Sequence, residues 1–230
     1  MARIGFITST NAPIASSDCK APVEGMRIYG YSSAKPLNFL LQNTQKAVTL
    51  HPQHVKHQDM NNIYRRDILD FVTVATEFCK QVEQCAGSER AEFTTIMQRL
   101  LPMVYLKASF IDELEEGVGF VESVVTESDY EYVRTQISCI MRDADDYLDV
   151  FVEQFRYSDA PVVCTVSESL ADIYQALRNM VEAFRNEIEE AMEVALFECI
   201  EEFKMHWGQQ LLGALRALHE LVASGQVDEL

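Results

Sequence analysis

The stretch NNIYRRDILDFVTVATEFCKQVEQ, residues 61–84, decides the fold class. In it Ile68, Phe71, Val72, Ala75, Phe78, Cys79 and Val82 recur at spacings of three and four, so one face of a helix is apolar. The same period continues outward to the C-terminus. Gly87-Ser88 breaks the first helix, and the Ser88 hydroxyl can cap a second over residues 89–110, with Phe93, Ile96, Met97, Leu100, Leu101, Val104 and Tyr105 on its face. Pro102 lies inside that helix and predicts a kink or restart. An acid-rich linker containing Gly117 and Gly119 follows. Ser128 and Glu131 have capping-box spacing and open a third helix, about 129–155, whose face is Val133, Ile137, Ile140, Ala144, Leu148, Phe151 and Phe155.

The stretch 158–163, with Pro161, reads as a loop. Thr165 and Glu168 repeat the capping spacing, and the fourth helix aligns Leu170, Ile173, Leu177, Val181 and Phe184. The last helix runs over about 187–222, with a stripe of Ile188, Met192, Ala195, Cys199, Phe203, Trp207, Leu211, Leu215, Leu218 and Val222. At ~1.5 Å per residue it would span ~54 Å, so a bend is expected near Gly208 or Gly213. No strand-period run of useful length is read. The expected class is all-α: a single bundle of about five helices with a long C-terminal helix.

Composition sets the function classes. With 19 basic and 36 acidic residues the net charge is −17. Neutralising nucleic-acid phosphates needs clustered Lys and Arg, so no nucleic-acid partner is expected, and the same balance argues against an anionic membrane surface. No apolar run reaches 18 residues and the N-terminus lacks an apolar signal core, so a cytoplasmic protein is expected. The six cysteines contain no Cys-x-x-Cys pair and are read as reduced core thiols.

Residues 1–59 differ from the rest. They hold four of the six prolines and three of the five histidines. Their six basic and three acidic residues give +3, leaving thirteen basic and thirty-three acidic residues, −20, for 60–230. No period persists through them, so they read as a disordered segment ahead of the domain. Met60 stands directly before the helical pattern. Residues 1–59 are then either the product of a start codon called too early or a genuine flexible arm. His51, His54 and His57 lie in this segment and read as incidental rather than as a metal site.

The segments LLPMVYLKAS (100–109), VTESDYEYVR (125–134), DDYLDVF (145–151), ESLADIYQ (168–175) and WGQQLLGALRALH (207–219) resemble an uncharacterised bacterial family, domain-of-unknown-function family 5063. The resemblance covers nearly all of 60–230 and none of 1–59. It implies an all-helical fold and a cytoplasmic bacterial origin, and it implies no activity.

The constellations that can carry chemistry are few. Asp145 and Asp149, one turn apart on the expected third helix, can offer two oxygen ligands to Mg²⁺. Glu168, Asp172, Gln175 and Asn179 form a polar ridge on the fourth helix. The run Glu168-Ser-Leu-Ala-Asp172 resembles the Glu-Glu-Leu-Gly-Asp helix of all-helical nucleotide pyrophosphatases of the MazG type, with Ser169 in place of the second Glu. Glu189, Glu190 and Glu193 would supply the facing helix. Neither His206 nor His219 has a Glu three residues before it, which excludes the spacing of a di-iron site. Cys199 lies two turns from His206, too far for direct activation, and no Gly-rich phosphate loop occurs. Trp207, Arg216 and His219 sit near the apolar seam of the last helix, as anchors of the bundle or as interaction residues.

Two functions are expected from these readings. The first is a non-catalytic helical protein-interaction module, with a protein partner or a second copy and no cofactor. The alternative is a Mg²⁺-dependent phosphohydrolase built on Asp145, Asp149, Glu168 and Asp172.

Overall fold

A computed structural model describes residues 63–112, 114–150 and 160–225. The expected disordered segment 1–59, the question of a start at Met60, and Phe151 and Phe155 lie outside the described residues. The chain is an all-α bundle with one short β-hairpin at its side. Its helices are α1 (Arg66–Glu83), α2 (Arg90–Ser109), α3 (Glu127–Met141), α4 (Val166–Asn186), α5 (Glu189–Glu202) and α6 (Gly208–Ala223), with α5 and α6 joined by a π turn (Phe203–Trp207). Among the described residues no helix is long and apolar enough to cross a membrane.

α4 is the centre of the bundle and packs against α1, α3, α5 and α6. Its sequence explains this position. Leu170, Ala171, Ile173, Tyr174, Leu177, Met180 and Val181 are all buried, so the helix is apolar over most of its circumference. Only a narrow polar strip is left. Thr165 caps the helix by accepting from the Glu168 N–H at 3.2 Å, at the spacing read from the sequence. Glu187, at φ 56°, ends it in the left-handed region. On α1 the expected stripe is the buried one, with Phe71, Ala75, Phe78 and Cys79 fully enclosed.

α2 starts one residue later than the Ser88 cap implied, since Glu89 holds the N-cap position without a side-chain cap. The helix passes through Pro102 without a break. Pro102 is exposed and Gln98, whose carbonyl loses its N–H partner, is half-buried, so that carbonyl lies near the surface rather than in the core. α3 is capped by Thr126 and Asp129, a reciprocal box, rather than by Ser128 and Glu131. Glu131 instead pairs with Arg134 at 2.7 Å.

The largest departure follows α3. The expected helix over 129–155 stops at Met141, and Arg142, at φ 52°, leaves the helical region. A 3₁₀ turn (Arg142–Ala144) leads into β1 (Asp146–Asp149), which pairs antiparallel with β2 (Val162–Thr165) in the register Asp146 to Thr165 and Asp149 to Val162. Two interactions compete successfully with the helix. Asp145 turns inward to accept from the Ser167 N–H at 2.8 Å and its hydroxyl at 2.6 Å, closing the start of α4. The β-branched Val162, Val163 and Thr165 supply a strand partner for residues 146–149.

The last helix stays helical over its whole length but not as one α-helix. Its stripe places Cys199, Phe203, Trp207, Leu211 and Leu215 at spacings of four. At 100° per residue this pattern drifts by about 160° over sixteen residues. The wider turn at Phe203–Trp207 takes up part of that drift and keeps Trp207, Leu211 and Leu218 buried. Tyr105 and Phe203 meet edge to face at 5.2 Å, and Phe203 and Trp207 meet at a tilt at 4.7 Å.

Gly208 is the residue that permits this turn. A Cβ there would run into the Phe203 carbonyl oxygen and within 2.9 Å of its ring. Helix propensity alone favours Gly208→Ala by ~1 kcal/mol. The opposite sign is expected, a loss of ~1–3 kcal/mol from overpacking against backbone, measured by denaturant unfolding. Gly213 plays a similar part for the hairpin, since a Cβ there would lie 2.9 Å from the Tyr147 hydroxyl and 3.1 Å from the Asp149 carboxylate.

Four described cysteines, Cys79, Cys85, Cys164 and Cys199, are free thiols.

Candidate functional site

The polar strip of α4 forms one wall of a cleft of about 490 Å³. Asp172, Gln175 and Asn179 stand along that wall. Glu198, Cys199 and Glu202 of α5, His206 and Trp207 of the π turn, and Gln210 of α6 make the other. Residues 121–123 of the linker close one side, with Glu122 among them. Among the described residues the lining therefore carries four carboxylates and no lysine or arginine.

Each wall is held from behind. Asp172 accepts from the Tyr130 hydroxyl at 2.7 Å and from Gln210 Nε2 at 2.6 Å, tying α3, α4 and α6 together. Burial and the Asp172 carboxylate push the Tyr130 phenol up, so it stays protonated and donates. Asn179 Oδ1 accepts from the Val124 and Val125 N–H groups at 3.0 and 3.2 Å, which pins the linker over the cleft. Trp207 is buried and donates from Nε1 to the Cys199 carbonyl at 3.0 Å.

The electrostatics are one-sided. Burial and the neighbouring Glu198 push the Glu202 carboxyl above its ordinary range, with His206 opposing. Burial, and then Glu202, push the Cys199 thiol far up, so no thiolate nucleophile is available there.

Of the eight residues singled out from the sequence, three line this cleft: Asp172, Gln175 and Trp207. Glu168 begins the same helix but is exposed and is not in the lining. Asp145 and Asp149 do not share a helix face, as the third helix has ended before them. Asp145 is a buried cap of α4. Asp149 is buried at the end of β1, 3.9 Å from Arg216. The four acids of the expected Mg²⁺ site are thus dispersed. Among the described residues no group of three or more His, Cys, Asp or Glu is placed to hold a metal ion. Glu189, the first of the acids meant to face them, accepts instead from the Tyr64 hydroxyl at 3.1 Å.

Arg216 and His219 lie elsewhere, in a shallow groove of about 460 Å³ between α2 and α6. Arg216 donates to the Leu148 carbonyl at 2.8 Å and so anchors the hairpin, while His219 Nδ1 lies 3.0 Å from Gln98 Nε2. Sequence reasoning missed Glu198, Glu202 and His206 in the cleft, although their spacing of four was legible. It also missed Glu122, which no periodicity marks.

The sequence profile described as Domain of unknown function (DUF5063) matches residues 62–224. The chain belongs to this family. A solved structure of the same shape is protein BF1032 from Bacteroides fragilis, 35% identical, with a TM-score of 0.62 over 69% of this chain and 94% of that one. No protein in the comparison with curated proteins matches the chain. The family carries no stated activity, so the chemistry of the cleft is the remaining guide to function.

Proposed function

We propose that this chain is a non-catalytic, cytoplasmic binding module whose acidic cleft receives a cationic group, a lysine or arginine side chain of a partner protein. The observation that carries the reading is the lining itself: Glu122, Asp172, Glu198 and Glu202 around one cavity, with no lysine or arginine among its described residues. The Glu198 carboxylate repels the charge on Glu202, and an entering cation relieves that repulsion. Gln175 adds a neutral hydrogen-bonding group to orient a guanidinium or ammonium, while Asn179 holds the linker and Gln210 holds Asp172. The volume lies within the range of preformed ligand clefts.

The alternative, a Mg²⁺-dependent phosphohydrolase, would use carboxylates to hold the metal and the metal to hold phosphate, so it answers to Mg²⁺ and a nucleotide rather than to a cationic side chain. A thermal-shift screen of the whole chain discriminates the two. Short lysine- or arginine-containing peptides are expected to raise the melting temperature; at one hundred times Kd the stabilisation is ~2.7 kcal/mol, a rise of roughly 5–10 °C. The rise should shrink with salt. It should grow as pH increases through the raised Glu202 value, because only the ionised carboxylate attracts the cation. A rise given by Mg²⁺ with a nucleotide and by no cationic peptide would overturn the proposal.

A further inference from the structure

We infer that the groove between α2 and α6 docks an acidic amphipathic helix of a partner protein. This inference goes beyond the cleft and does not rest on it. The groove has an apolar floor of Pro102, Leu212 and Leu215 and a rim of Arg99, Arg216 and His219, with no carboxylate in its lining among the described residues. On a chain of net charge −17 such a lining is a local reversal of sign. Arg99 is exposed and makes no ion pair among the described residues, whereas Arg216 is already engaged with the hairpin.

The apolar surface continues past the groove along α2. Met103, Leu106 and Phe110 are each half exposed. At 100° per residue they fall within about 40° of Arg99, so the four share one face of the helix. That face runs about 16 Å from Arg99 to Phe110 at ~1.5 Å per residue, roughly three helical turns. Leu212 of α6, 46% exposed, flanks it. A surface of this length, apolar along its axis and basic at one end, matches a helix with apolar residues at spacings of three and four and carboxylates beside them. Charge complementarity selects an acidic helix over a basic one.

The test is a peptide-display selection from a randomised library on the full chain. Enriched peptides are expected to be acidic, with Leu, Met or Phe at helical spacing. Their Kd, by fluorescence anisotropy, should rise at least tenfold on Arg99→Glu and on Leu212→Asp, both exposed positions whose variants can be checked for wild-type circular dichroism. Glu198→Gln/Glu202→Gln, which alters the cleft alone, should leave that Kd unchanged. Absence of binders, enrichment of basic peptides, or an unchanged Kd on both groove variants would overturn the inference. So would sedimentation showing a dimer that Arg99→Glu dissociates, since a second copy would then be the occupant.

Discussion

Arg178→Met is expected to destabilise the fold by about 3–5 kcal/mol, on the order of 10 °C in melting temperature. Arg178 is fully buried in the middle of α4. Its guanidinium lies 3.1 Å from the Glu83 carboxylate at the end of α1 and 3.1 Å from Glu182 one turn further along α4. Tyr174 donates to Glu83 at 3.1 Å from the same helix. Methionine nearly fills the space but leaves the Glu83 charge buried without its cation, and that uncompensated charge carries most of the cost. Replacing both partners by neutral groups, Glu83→Gln with Arg178→Met, should therefore recover much of the loss. Denaturant unfolding of the two single variants and the double variant measures this. A single variant within 1 kcal/mol of the parent would refute the account.

The same network sets a pH dependence. Burial holds the Glu83 carboxyl above its ordinary value of 4.5, with Arg178 and the Tyr174 hydrogen bond opposing. A folded pKa above the unfolded one means that the native state binds this proton more tightly. The group's contribution to stability is then fully present below 4.5 and is lost as pH rises through the folded value. Glu83→Gln should flatten that part of the stability profile.

Trp207→Ala is the second large effect, an expected loss of ~3–5 kcal/mol. The indole is buried, meets the Phe203 ring at a tilt with centroids 4.7 Å apart, and donates to the Cys199 carbonyl across the π turn. Its removal leaves a cavity at the junction of α5 and α6 and takes one of two donors from the Cys199 carbonyl, which keeps the Phe203 N–H. Trp207→Phe keeps an aromatic body and loses the hydrogen bond, so a smaller cost of ~1–2 kcal/mol is expected. Both follow from equilibrium unfolding. Equal losses in the two variants would mean that the hydrogen bond, not the ring volume, holds the turn.

Helices α1, α2 and α4 were legible because each buries a face whose period is written locally. The stretch from Asp145 to Asp149 was not. Ala144 and Leu148 suit a helical stripe, while the strand that replaces it depends on Val162–Thr165, outside any local window. Thr126 capped α3 in place of Ser128, since both are good caps and the linker, pinned by Asn179, selects between them. The polar ridge on α4 was visible, and three of its members, Asp172, Gln175 and Asn179, do line the cleft. Its opposite wall was hidden because a periodic reading aligns residues along one helix and says nothing of which helices meet. Arg178 was hidden for the same reason, since a buried arginine is recognised only beside its carboxylates.

The central claim is that the cleft recognises a cation. Isothermal titration of the whole chain with an arginine-containing peptide, on the parent and on Glu198→Gln/Glu202→Gln, tests it most directly. The account predicts saturable binding to the parent, at least tenfold weaker in the double variant and weaker still as salt is raised. Equal affinity for the two proteins, or binding of an acidic peptide of the same length with cleft-variant sensitivity, would contradict it.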